Sequence, residues 1–172
     1  GGVTGDLNGI VAGDDITIIA VGDLTVSEPV IDTVGAGYME LGGYTVLINA
    51  NILTGGSTLD IWSLNDGGAP DDGDTIVNAL VDADGGEVYL YCENDATING
   101  TVLTQGSYAE ITAFGDIIFT AEGRIEAEVS PYLSWPAFVV DAGGMITMAD
   151  GSLNSTWPAK NIALTAVPPT SP

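Results

Sequence analysis

Short alternations of apolar and polar residues recur along the chain, each launched by a glycine or a Gly-Asp pair. They are Gly13-Asp14-Asp15-Ile16-Thr17-Ile18, Gly22-Asp23-Leu24-Thr25-Val26, Gly42-Gly43-Tyr44-Thr45-Val46, Gly85-Gly86-Glu87-Val88-Tyr89-Leu90, Gly115-Asp116-Ile117-Ile118-Phe119 and Gly143-Gly144-Met145-Ile146-Thr147-Met148. Glycine takes a corner that a residue with Cβ resists, and the alternation sends one set of side chains inward and the other to solvent. The phrase predicts a turn followed by a very short strand. Strand-like stretches fall at 15–20, 23–27, 38–41, 44–50, 58–62, 75–81, 87–92, 96–103, 108–114, 116–121, 124–129, 137–140, 145–149 and 161–166. None carries the i, i+3, i+4 spacing of a helix over a useful length.

The glycines keep time. Those near 22, 42, 85 and 106 fall close to multiples of 20 to 21 residues, and Gly123 to Gly143 is again a step of 20. This is the length of one lap of a β-solenoid, and fixed-period self-similarity is the signature of a stacked architecture. The expected fold is all-β, a β-solenoid of about eight coils and, at about 4.8 Å per coil, a rod on the order of 40 Å long. A β-sandwich or jelly roll is the alternative, but hairpin-built sandwiches have irregular loop lengths. Asn65 to Thr75 and Ser130 to Ala137, with Pro70, Pro131 and Pro136, break the rhythm and are read as loops thrown out from a coil.

With 172 residues and 45% hydrophobic content, the chain has enough to build one core. Residues 1–167 form the expected single domain, and Val167-Pro168-Pro169-Thr170-Ser171-Pro172 reads as a linker or exposed tail covering 168–172. No run of about 20 apolar residues is present to span a membrane. The first residue is Gly1, which fits a processed chain or a piece of a longer one.

Charge narrows the partners. Arg124 and Lys160 stand against 24 acidic residues, there is no histidine, and the net charge is −22. Such a surface repels nucleic-acid phosphate and anionic lipid and attracts cations. Stacking would also bring equivalent acidic positions one strand apart, a repulsion that a bridging divalent cation would relieve. Cys92, the single cysteine, sits within Val88-Tyr89-Leu90-Tyr91-Cys92 and is read as a small buried hydrophobe rather than a reactive thiol.

Asp95-Ala96-Thr97-Ile98-Asn99-Gly100-Thr101-Val102, Ala109-Glu110-Ile111-Thr112-Ala113, Gly115-Asp116-Ile117 and Gly123-Arg124-Ile125-Glu126-Ala127 follow one another along the chain. With Gly13-Asp14-Asp15-Ile16-Thr17-Ile18 and Lys160-Asn161-Ile162-Ala163-Leu164-Thr165-Ala166, most of residues 10–167 resembles the filamentous-haemagglutinin-like adhesin repeats of large secreted bacterial surface proteins. The resemblance implies a right-handed parallel β-helix, export across the cell envelope and a role as stalk, fibre or adhesin. The family's N-terminal secretion signature, built around Asn-Pro-Asn, does not occur here, so the match is to the repeat region.

Four groups of residues bear on chemistry. Asn65-Asp66 with Asp71, Asp72, Gly73 and Asp74 has the composition of a calcium loop, hard oxygen ligands around a flexible glycine, without EF-hand spacing; a solvated acidic loop is the other reading. Ca²⁺ is the one cofactor suggested. Glu126 and Glu128 share a strand face near Glu122 and Arg124; paired carboxylates are the minimum for glycoside hydrolysis, but a solvent-facing row fits as well. Among Trp62, Tyr89, Tyr91, Tyr108, Phe114, Tyr132, Trp135 and Trp157, which would form a sugar-stacking face if exposed, Tyr132 and Trp135 are the first candidates for glycan contact. Asn99-Gly100-Thr101 and Asn154-Ser155-Thr156 are N-glycosylation sequons.

A solenoid exposes unpaired backbone groups at its first and last coils, and no amphipathic capping helix is evident near either end. Two arrangements answer this, flanking coils of a longer chain or end-to-end addition of copies by β-augmentation. Both make the chain an extracellular structural element at the cell surface. A glycan-binding adhesin module and a polysaccharide-active enzyme are the second and third expectations.

Overall fold

The computed structural model describes residues 10–12, 15–32, 37–67, 72–129, 138–150, 152–155 and 162–166. They form three parallel sheets. The first stacks β1 (Ile10–Ala12), β4 (Val30–Asp32), β7 (Ile52–Leu53), β10 (Leu80–Asp82), β13 (Thr101–Gly106), β16 (Arg124–Val129) and β19 (Leu153–Ser155). The second stacks β2 (Ile16–Ile19), β5 (Tyr38–Gly43), β8 (Thr58–Ser63), β11 (Val88–Cys92), β14 (Ala109–Ala113), β17 (Phe138–Ala142) and β20 (Ile162–Ala166). The third holds β3 (Leu24–Val26), β6 (Val46–Ile48), β9 (Thr75–Val77), β12 (Ala96–Ile98), β15 (Ile117–Phe119) and β18 (Ile146–Met148). Every third strand returns to the same sheet, so the chain winds as a three-faced parallel β-helix. The parallel pairing within all three sheets excludes the antiparallel sandwich.

Among the described residues the stack has seven rungs, not about eight, and at about 4.8 Å per rung it spans about 30 Å. The difference lies in lap length. Ile10 pairs with Val30 after 20 residues, but Val46 meets Thr75 and Ala109 meets Phe138 only after 29. The longer laps are those containing the two stretches expected as loops. The first, expected at Asn65 to Thr75, falls between β8 and β9 with Thr75 itself opening β9, and its residues 68–71 lie outside the described residues, as do 130–137 of the second.

Inward positions stack like on like. Val30, Ile52, Val81, Val102 and Ile125 form one buried column, and Leu41, Ile61, Leu90, Ile111 and Val140 another. Burying each such side chain contributes about 1.5–3 kcal/mol. Cys92 belongs to this interior, fully buried and unpaired beside Ser63 and Ala113 in register. Burial pushes its thiol up to about 11, which makes it a poor nucleophile.

Corners need their own hydrogen bonds, and side chains supply them. Where the second sheet turns into the third, Asp74 Oδ1 accepts the backbone N–H of Asp95 at 3.0 Å, Asp95 Oδ1 that of Asp116 at 2.6 Å, and Asp116 Oδ1 that of Met145 at 2.8 Å. Stacked acidic residues therefore occur as expected, but each carboxylate is held by the next rung's backbone, which offsets the repulsion without requiring an ion between them. The arrangement also explains Gly-Asp. A Cβ at Gly115 would collide with Asp95 Oδ1, and one at Gly144 with Asp116 Oδ1. These two glycines are required for close approach, not for a left-handed backbone.

Two other corners repeat. Thr54 Oγ1 donates to the Ser57 carbonyl at 2.7 Å and Thr104 Oγ1 to that of Ser107 at 3.1 Å, closing the same turn on different rungs. Between the third and first sheets, Asn78 Nδ2 donates to Asn49 Oδ1 at 2.8 Å and Asn99 Nδ2 to Asn78 Oδ1 at 2.6 Å, an asparagine ladder over three rungs.

Candidate functional site

The outer face of the second sheet brings together several of the described aromatic and acidic side chains. Because Leu59, Ile61, Val88, Leu90 and Cys92 point inward, Asp60, Trp62, Tyr89 and Tyr91 must point outward. Register then places Glu40, Asp60, Tyr89 and Glu110 in one outer column and Gly42, Trp62, Tyr91 and Thr112 in the next.

Aromatic donors and carboxylates pair across this face. The Trp62 indole Nε1–H donates to Glu40 Oε1 at 3.0 Å, Tyr89 to Glu87 Oε2 at 2.9 Å, Tyr108 to Glu110 Oε2 at 3.0 Å, and Tyr38 to Asp60 through a short bond. Each phenol is held in its neutral form. For Tyr89 burial, then the bond to Glu87, pushes the hydroxyl up to about 12; Tyr108 rises through burial and Glu110. Tyr38 rises chiefly through its bond to Asp60. Ionisation would set phenolate against carboxylate.

The rings make a strip along the stack. Tyr89 and Tyr108 lie 5.9 Å apart at 58°, and Tyr91 meets Phe114 edge-on at 5.6 Å and 77°. Both fall in the favourable range for aromatic pairs. Phe114 is 61% exposed and Tyr91 38%. Beside them Asp60, Ile61, Trp62, Leu64, Tyr89 and Tyr91 line a shallow open depression of about 260 Å³.

The sequence-derived candidates are distributed differently. Five of the aromatics expected to share a face, Trp62, Tyr89, Tyr91, Tyr108 and Phe114, lie on or beside this one; Tyr132, Trp135 and Trp157 lie outside the described residues. Asp66 is exposed, Asp72 is buried, and Asp74 accepts from Asn94 Nδ2 and the Asp95 backbone, while Asp71 lies outside the described residues. Among the described residues no three His, Cys, Asp or Glu side chains gather into a metal-holding group. Glu126 is paired with Arg124 at 2.7 Å on the first sheet. Asn99 is engaged in the asparagine ladder, and Asn154 lies in β19 opposite Glu126.

Sequence reasoning missed the carboxylates Glu40, Asp60, Glu87 and Glu110 and the phenol of Tyr38. Glu87 with Tyr89 and Glu110 with Tyr108 are two residues apart and could have been found from the alternation, whereas the pairing of Tyr38 and Trp62 with Asp60 and Glu40 is across strands and is set by the register. No family model, curated protein or solved structure matches the chain.

Proposed function

We propose that the chain is a structural segment of an extracellular fibre or stalk at the cell surface, joined end to end with further coils of a longer chain or with copies of itself. The observation that supports this reading is the continuous inner column that passes from Ile10 through Val30, Ile52, Val81 and Val102 to Ile125 in unbroken parallel register. Each rung presents its neighbour with the same backbone pattern and the same kind of inward side chain, so one more rung repeats contacts already made. Head-to-tail contacts of this kind propagate without closing. The net charge of −22 keeps such segments apart until counter-ions screen it. In this reading the chain works by its shape and turns over no substrate.

Negative-stain electron microscopy and sedimentation of the purified chain, at low and physiological salt, test the reading. Elongated particles whose length grows in whole-segment steps with concentration are expected. Compact particles of one size under all conditions would overturn end-to-end joining.

A further inference from the structure

Trp62 and Tyr91 are register partners on successive strands, and Tyr89 stands beside them opposite Asp60. Together with Leu64 these side chains line the depression of about 260 Å³. That is slightly smaller than the roughly 300–1,000 Å³ of drug-sized ligand pockets and suits a single flat ring. The indole is held flat by the backbone beneath it, since a Cβ at Gly42 would occupy the space that the Trp62 ring fills. The ring also lines the open depression, where a ligand would meet it.

We propose that this depression binds an amine-bearing sugar, the ring stacked on Trp62 and Tyr91 and the ammonium group placed against the Asp60 and Glu40 carboxylates. Two properties of the face select that chemistry. The C–H face of a pyranose is apolar and weakly positive, the complement of an aromatic ring with its negative π-face. An ammonium group adds a cation–π attraction to the same rings.

Charge complementarity then separates amino sugars from other sugars. Glu40 and Asp60 are register neighbours on adjacent strands, where like charges repel. Tyr38 and Trp62 donate hydrogen bonds to them but bring no positive charge. Among the described residues the one basic side chain, Arg124, pairs with Glu126 on the first sheet; Lys160 is outside the described residues. A cationic ligand supplies what the face lacks. A neutral sugar would leave the repulsion in place, and a uronic or sialic acid would add to it.

Titration calorimetry with the hexamer of glucosamine, against the hexamer of N-acetylglucosamine, tests the proposal at a mildly acidic pH where amines are protonated and carboxylates ionised. The deacetylated hexamer is expected to bind, about tenfold more tightly than the acetylated one, and less tightly as salt is raised. Trp62→Ala and Tyr91→Ala, which leave net charge unchanged, should each weaken it by about tenfold. Tyr91 is partly exposed and keeps the test open should loss of the indole disturb its rung. Equal binding of the two hexamers would overturn the amine preference. Undiminished binding by the folded ring variants would reduce the interaction to general charge attraction and overturn the site.

Discussion

The indole of Trp62 lies over the backbone of Gly42, its register partner on the neighbouring strand, in space that any Cβ at residue 42 would invade. The same ring donates to Glu40 Oε1, so its position is fixed from below and from the side. Gly42→Ala should lift the indole, break that hydrogen bond and cost about 1–3 kcal/mol. A lower melting temperature together with a changed near-ultraviolet circular dichroism band is the expected result. An unaltered band would show that the ring is not seated on the glycine.

The aspartate ladder makes a second prediction. Asp95→Ala removes the acceptor for the Asp116 backbone N–H and should cost about 1–3 kcal/mol, the penalty for an unsatisfied polar group. Asp95→Asn keeps an acceptor oxygen while removing a charge from the stacked row of Asp74, Asp95 and Asp116. It should therefore lose less than the alanine variant, and least at low salt, where repulsion within the row is strongest. Gly115→Ala displaces the same carboxylate, and its cost should not add to that of Asp95→Ala. Urea denaturation of the single and double variants measures both quantities.

Alkaline pH should destabilise the fold. Burial pushes the Cys92 thiol up from 9.0 to about 11, and burial with the Glu87 bond pushes Tyr89 up from 10.0 to about 12. In the unfolded chain both groups ionise near their ordinary values. Between those values and the raised ones the unfolded state holds fewer protons than the folded state, so stability falls as pH rises. The loss should begin near pH 9 and continue through about 11 for the thiol and 12 for the phenol. Cys92→Ala should flatten the lower part of this fall. A thiol-reactive dye should label Cys92 only at the rate at which the chain unfolds.

The parts of this fold that were legible in the sequence are those with local causes. Val88-Tyr89-Leu90-Tyr91-Cys92 alternates cleanly and is β11. The first sheet was harder to see. Its strands β4 and β7 have three and two residues, too few for an alternation to register. β13 follows β12 after only Asn99-Gly100, so 96–103 reads as one strand. Both corner N–H groups donate to the Val77 carbonyl at 2.8 Å, a long-range bond with no local sequence signal. The recurring Gly-Asp pair was evident, yet its reason at Gly115 is a carboxylate arriving from the previous rung. The candidate site was half legible for the same cause. Its rings stand out by type, whereas Asp60 and Tyr89 become neighbours only through a lap of 29 residues, longer than the period of 20 to 21.

The asparagine ladder carries the last prediction. Asn78 is its middle member, donating a hydrogen bond to Asn49 and accepting one from Asn99, so Asn78→Ala leaves two amides without their partners. The corner is partly open to water, which can replace those partners, and the expected loss is about 0.5–1.5 kcal/mol. Asn78→Asp still accepts from Asn99 but cannot donate to Asn49, and should fall between the parent and the alanine variant. The ladder also bears on the sequon Asn99-Gly100-Thr101, because the nitrogen that would carry a glycan is the one that donates to Asn78. In a glycosylating host, chains modified at Asn99 should melt below unmodified chains, and Asn78→Ala should shrink that difference, since the bond at stake is already gone. Thermal melts of the four species decide it; a glycan that lowers the melting temperature equally with and without Asn78 acts by some route other than the ladder.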